Sequence, residues 1–122
     1  RSSDLKGYIF QSTGKKYVVQ QIMKYMEENY QEKISLEQIA ANMYLSSFYI
    51  AKIFKSETGD TPINYLIRLR MEKAKEILEI SPEEPIKEVA AAVGYSDAYH
   101  FSKLFKKHYG ISPLYYKKES FS

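Results

Sequence analysis

Residues 94–113 read GYSDAYHFSKLFKKHYGISP: a glycine, a short polar run, a helix-like stretch and a closing Gly-x-Ser-Pro. Phe101, Leu104 and Phe105 fall on one face of a helix, because residues three and four apart lie above one another. Lys103 and Lys106 fall on the opposite face. Gly110 stops that helix, and Ser112-Pro113 caps the next one. A blurred copy of the segment lies earlier in the chain. Residues 36–62 read LEQIAANMYLSSFYIAKIFKSETGDTP, and residues 86–113 read IKEVAAAVGYSDAYHFSKLFKKHYGISP. At an offset of 50, Ile39-Ala40-Ala41 matches Val89-Ala90-Ala91, Met43 matches Val93, and Ser46 matches Ser96. At an offset of 51, Lys52-Ile-Phe-Lys55 matches Lys103-Leu-Phe-Lys106, Gly59 matches Gly110, and Pro62 matches Pro113. The second copy therefore has one extra residue in its turn. A period occurring only twice is a tandem duplication rather than a solenoid.

Each copy reads as short helix, tight turn, longer helix, which is the pattern of a helix-turn-helix. The first helix carries a small-residue pair where another helix can approach closely. The turn carries an apolar plug, Leu45 or Tyr95, and a serine expected to cap the second helix, Ser46 or Ser96. The second helix buries Ile50, Ile53 and Phe54, or Phe101, Leu104 and Phe105. Outside the copies, residues 1–14 show no helical period and hold two glycines and three serines, so they read as a linker or tail. Val18, Ile22, Tyr25, Met26 and Tyr30 then mark one face of a helix. Ser35 with Gln38 forms a capping-box pattern before the first copy. Thr61-Pro62 opens the longest helix, over 62–80, which Pro82 and Pro85 terminate. No strand pattern survives. The expected fold is all-α: two tandem helix-turn-helix subdomains joined by a long central helix, with about seven helices. The domain occupies residues 15–122, with its helix-turn-helix copies at about 35–59 and 86–110.

Composition narrows the chemistry. With 122 residues, 44% hydrophobic and 27% charged, the chain is one ordinary globular domain. It has no cysteine, which rules out disulfides, thiolate metal sites and cysteine nucleophiles. Its first residue is not methionine, which suggests a fragment of a longer protein. No membrane span or signal peptide is visible, so an intracellular, cytoplasmic location is expected. The net charge is only +3, but it is segregated. Glutamates cluster at Glu27, Glu28, Glu32 and Glu37 and again at Glu83, Glu84 and Glu88. Lysines cluster on the second helix of each copy. His100 and His108 lack the partners of a metal site. No phosphate loop, activated nucleophile or convergent carboxylate pair points to an enzyme, and no cofactor is expected.

The run Gly94-Tyr95-Ser-Asp97 through Phe101-Ser-Lys103-x-Phe105-Lys106-Lys107, then Gly110-x-Ser112-Pro113 and Tyr116-Lys117, resembles the DNA-binding domain of the AraC/XylS family of bacterial transcription regulators. Ile34-Ser-Leu-Glu-Gln-Ile-Ala40 and Tyr65-Leu-x-x-Leu-Arg70-Met-x-Lys-Ala74-x-x-Ile-Leu78 match its first unit and connecting helix. The likeness spans about residues 16–118. The first-helix wording and the Tyr44-Leu45-Ser46 turn look most like the response-regulator branch. The resemblance implies binding to double-stranded promoter DNA, usually as an activator, with RNA polymerase as a further partner. It also implies a missing N-terminal effector or receiver domain and an isolated domain that is monomeric. Three departures stand out. Lys103 occupies a place where the family usually has arginine. Tyr99 and His100 stand where a small polar residue and a tyrosine are more usual. Pro85 replaces a capping residue.

A helix fits the major groove, where each base pair shows its own donor and acceptor pattern. The face opposite Ile50, Ile53 and Phe54 holds Ser47, Phe48, Ala51, Lys52 and Lys55. In the second copy it holds Ala98, Tyr99, Ser102, Lys103 and Lys106, flanked by His100. Phe48 and Ala51 suit thymine methyls, Lys52 and Lys103 suit guanine O6 and N7, and Tyr99 and Ser102 suit base edges. The resemblance picks out the same base-reading set: Phe48, Ala51, Lys52, Ala98, Tyr99, His100, Ser102 and Lys103. Phosphate contacts are expected from Ser46, Ser96, Lys55, Lys106 and Lys107, with Lys15, Lys16, Lys117 and Lys118 as weaker candidates. A connecting helix of about 18 residues spans about 27 Å. That suits two helices entering successive major grooves about 34 Å apart. Arg68 and Arg70 face Glu72 and Glu76 at helical spacings, which predicts ion pairs. Two other readings share these residues: a protein-interaction domain with weak DNA affinity, and a nonspecific architectural DNA binder.

Overall fold

The computed structural model describes the backbone of residues 2–121 and the side chains of residues 14–119. Among the described residues it holds seven helices and no strand: α1 (Ser2–Asn29), α2 (Leu36–Asn42), α3 (Ser47–Thr58), α4 (Pro62–Ile80), α5 (Ile86–Ala92), α6 (Ala98–Tyr109) and α7 (Pro113–Phe121). The expected all-α architecture is present. One boundary differs: α1 continues back to Ser2 through the stretch read as a linker or tail. That stretch has no proline. A glycine inside a helix costs only about 1 kcal/mol relative to alanine, so Gly7 and Gly14 weaken the helix without ending it.

The chain packs as two units. The first comprises α1 with Ile34–Asn64, and the second comprises Tyr30–Lys33 with the chain from Tyr65 onward. In the first, Val19, Ile22 and Met26 of α1, Ile39 and Ala40 of α2, and Ile50, Ile53 and Phe54 of α3 form the buried core. In the second, Met71, Ala74 and Leu78 of α4 pack with Val89, Ala90, Val93, Phe101 and Phe105. Val19, Ile22 and Met26 have the same three-then-four spacing as Met71, Ala74 and Leu78. The duplication therefore extends to the scaffold helix in front of each copy, at an offset of 52. Both units repeat one three-helix pattern, α1–α2–α3 in the first and α4–α5–α6 in the second, where α7 follows it; the third helix of the pattern, α3 or α6, keeps one face exposed.

Local chemistry sets the helix ends. The Ser35 hydroxyl accepts from Gln38 N–H at 3.1 Å, and the Thr61 hydroxyl from Asn64 N–H at 3.1 Å. The Ser112 hydroxyl accepts from Tyr115 N–H at 3.1 Å. Each satisfies a donor that the first helical turn leaves open. Gly59 and Gly110 end α3 and α6 in the left-handed region, donating to Lys55 O and Lys106 O. α5 follows Pro85 without a side-chain cap. In both turns the plug residue is anchored alike: Leu45 N–H donates to Ala40 O at 2.9 Å, and Tyr95 N–H to Ala90 O at 2.8 Å.

Candidate nucleic-acid interface

α3 and α6 bury equivalent faces, so their outward faces are equivalent too. On α3, Phe48 is 79% exposed although it is a large aromatic, and Lys52 and Lys55 are exposed beyond it. On α6, Tyr99 is 68% exposed at the matching position, followed by exposed Lys103 and Lys106. Aromatic, lysine and lysine stand at i, i+4 and i+7 in both, one stripe along each helix. Ala51 and Ser102 match each other, half-buried beside the stripe, as is Ala98. His100 is exposed next to it and Lys107 lies exposed one residue beyond Lys106. The Lys103 ammonium lies 4.6 Å from the centre of the Tyr99 ring, a cation–π pairing that holds both side chains over the helix's first turns. Each predicted base-reading residue thus lies on one of two surfaces, one per unit.

The helix N-termini are built differently. Ser46 caps α3 as expected, its hydroxyl accepting from Tyr49 N–H at 3.1 Å. In the second unit Ser96 is not the cap. Asp97 takes that place, and its Oδ1 accepts from Tyr99 N–H at 3.0 Å. The extra turn residue is the reason. Counting back from the Lys-x-Phe-Lys block at an offset of 51 pairs Ser46 with Asp97, leaving Ser96 exposed one residue outside the helix. An aspartate is an equally good cap, but it sets a carboxylate where a phosphate contact was expected. The offset was the signal for it.

The turns differ again. Tyr44 adopts φ 58, the left-handed region, and is 96% exposed. Its counterpart Gly94 has φ 101, and a Cβ there would lie 2.9 Å from Tyr30 O and 3.0 Å from the Arg70 guanidinium. Arg70 itself corrects an expectation. It is buried, 8% exposed, and makes no glutamate ion pair: its Nε–H donates to Tyr30 O and its Nη2–H to Glu32 O, both at 2.8 Å. Its guanidinium lies 5.0 Å from the Tyr95 ring centre. A buried charge is retained only with partners, and the residue 30–33 loop supplies nearer ones than the solvated glutamates on α4. Lys117 is also engaged, donating to Glu84 O at 2.7 Å, which removes it from the phosphate candidates. Lys15, Lys16 and Lys118 are exposed. Among the described residues no group of carboxylate or imidazole side chains could hold a metal ion, and no helix is long and apolar enough to cross a membrane.

Known proteins share this arrangement. A family model described as a helix-turn-helix domain matches residues 39–119. The MmsAB operon regulatory protein of Pseudomonas aeruginosa is 39% identical over 94 residues, 77% of this chain, which spans 30% of that relative's length. The C-terminal domain of AraT, a response regulator from Geobacillus stearothermophilus, superposes with a TM-score of 0.81 at 35% identity, covering 84% of each chain. The DNA-binding domain of AdpA, a global transcriptional factor solved with a target DNA, superposes with a TM-score of 0.77 at 28% identity, covering 83% of this chain and 90% of that one.

Proposed function

Because the chain belongs to the AraC-type helix-turn-helix family of transcriptional regulators, we propose that it binds promoter DNA sequence-specifically with both units, inserting α3 and α6 into successive major grooves of the duplex. The observation that carries this reading is the twofold occurrence of an exposed aromatic followed by two exposed lysines, on the face opposite the buried residues of each helix. A single exposed aromatic is ordinary on a protein surface, but Phe48 and Tyr99 recur at matching positions with the same lysines behind them, and at a groove such a residue meets thymine methyls or base edges. Phe48, Ala51 and Lys52 read one element, and Ala98, Tyr99, His100, Ser102 and Lys103 the other. Ser46, Lys55, Lys106 and Lys107 fix the register on phosphates. Ser96 joins them only through its free hydroxyl, beside the Asp97 charge. Residues 1–14 link this domain to an N-terminal effector or receiver domain, RNA polymerase is the partner at the promoter, where the regulator acts as an activator, and the regulator works in the cytoplasm. The isolated domain is a monomer that reads an asymmetric site.

Selection from a random-duplex library at about 150 mM salt tests this. Two short elements about one helical turn apart should emerge. Lys52→Ala and Lys103→Ala should each relax one element, by about 1–3 kcal/mol of base discrimination. Enrichment of no sequence would sink the reading in favour of a protein-interaction role, and binding without base preference would make the domain architectural.

A further inference from the structure

Arg70, on α4, ties two other segments of the second unit together: the residue 30–33 loop and the turn before α6. Its fork of donors holds the carbonyls of Tyr30 and Glu32, and its guanidinium carbon lies over the Tyr95 ring in the turn before α6, 5.0 Å from the ring centre. The Tyr95 ring in turn meets His100 edge-on at 5.6 Å and Phe101 at 6.1 Å. On the turn's backbone side, Gly94 leaves only the room the guanidinium needs. We propose that Arg70 is the positioning residue of the second reading helix: it fixes the direction in which α6 presents Tyr99, His100 and Lys103, and so sets how strictly the second unit discriminates bases. This rests on the reading of α6 as a DNA-reading helix.

The chemistry singles out a guanidinium. Two N–H donors in one plane, with a flat face left over for a ring, is a shape that an ammonium cannot supply. A residue kept only to fill space would be apolar, as Val18 is at the equivalent place on α1. A charge there is costly to bury. It is accounted for if the position must be held to the tolerance that side-chain readout requires, about 0.5 Å and 10–20°. Among the described residues, the first turn has no matching clamp: Tyr44 stands in place of the glycine and is almost wholly exposed.

The test uses the whole chain with Arg70→Lys, which keeps the charge, and Tyr95→Phe, which keeps the ring. Amide exchange without DNA is read first. In Arg70→Lys the Tyr95, Tyr99 and Phe101 amides should exchange at least tenfold faster, while Leu45 and Ile50 stay unchanged. In library selection the second element should lose at least tenfold in base discrimination, with the first element and the salt dependence unaltered. Tyr95→Phe should match the parent in both. Unchanged exchange with an intact second element would overturn the proposal. So would equal weakening of both elements, which means general destabilisation. A parent chain that selects no second element would sink the reading of α6 and the specificity role together. The exchange result would still decide whether Arg70 holds the turn.

Discussion

The first unit has Val18, Tyr44 and Ser46 where the second has Arg70, Gly94 and Asp97. Around these differences the skeletons agree: the same buried spacing on the scaffold helix, the same plug-to-alanine hydrogen bond, and the same aromatic–lysine–lysine stripe. Duplication has kept what the core needs and let the turn and cap diverge. The turn and cap are where the second helix of each copy is aimed and where its N-terminal charge is set. On the proposed function, two units with one core pattern would therefore read DNA with different stiffness and different electrostatics. Changes made in pairs, one per unit, separate the shared skeleton from the divergent turn.

The largest effects should be symmetric. Phe54 and Phe105 are fully buried counterparts, and each removal to alanine should cost about 3–5 kcal/mol in urea unfolding. Unequal losses beyond that spread would mean that the cores are less alike than their spacing. The next pair should be asymmetric. Gly94→Ala adds a Cβ 2.9 Å from Tyr30 O at φ 101, so it should destabilise by about 1–3 kcal/mol. Tyr44→Gly relieves a left-handed tyrosine, worth about 1–2 kcal/mol, and adds unfolded-chain freedom worth about 0.5–1 kcal/mol. It should leave stability level or slightly raised by melting temperature.

Most of this was legible from residue order. Helices α3 and α4 begin and end where Gly59, Pro62 and the apolar period put them, because those signals are local. The exposed aromatic stripe was legible because it occurs twice. Arg70 was not. Helical spacing offers it Glu72 and Glu76, and nothing within α4 shows that the loop after α1 brings two bare carbonyls against it. Asp97 lay hidden by one residue, because the serines align at one offset and the caps at another.

The cap difference carries a smaller prediction that separates folding from binding. Asp97→Ser gives the second unit the first unit's cap. Stability should change by under about 0.5 kcal/mol, because both residues accept from the helix's first turn. Affinity for any duplex should rise, most at low salt, because a carboxylate no longer faces the phosphates. Titration by fluorescence anisotropy at two salt concentrations checks this. An unchanged affinity would place the α6 N-terminus away from the DNA backbone.

The smallest effect separates the units by pH. Tyr109 ends α6 where Thr58 ends α3. Burial pushes the Tyr109 phenol above its usual value, and the carboxylates of Glu72, Glu79 and Glu76 push it further. The Lys75 ammonium, 5.3 Å from the ring, and the His108 ring, 4.6 Å away, are the basic groups beside it, and the Phe105 ring lies 4.8 Å away. A raised folded value means that the fold favours the neutral phenol. The stabilisation is then complete below the unfolded value of about 10 and fades as pH rises through the folded one. Ultraviolet difference titration of the parent against Tyr109→Phe should show one tyrosine ionising late. Amide exchange above about pH 10 should loosen α6 before α3, and that ordering should vanish in Tyr109→Phe. If α3 loosens first in the parent, the difference between the units at high pH has another source.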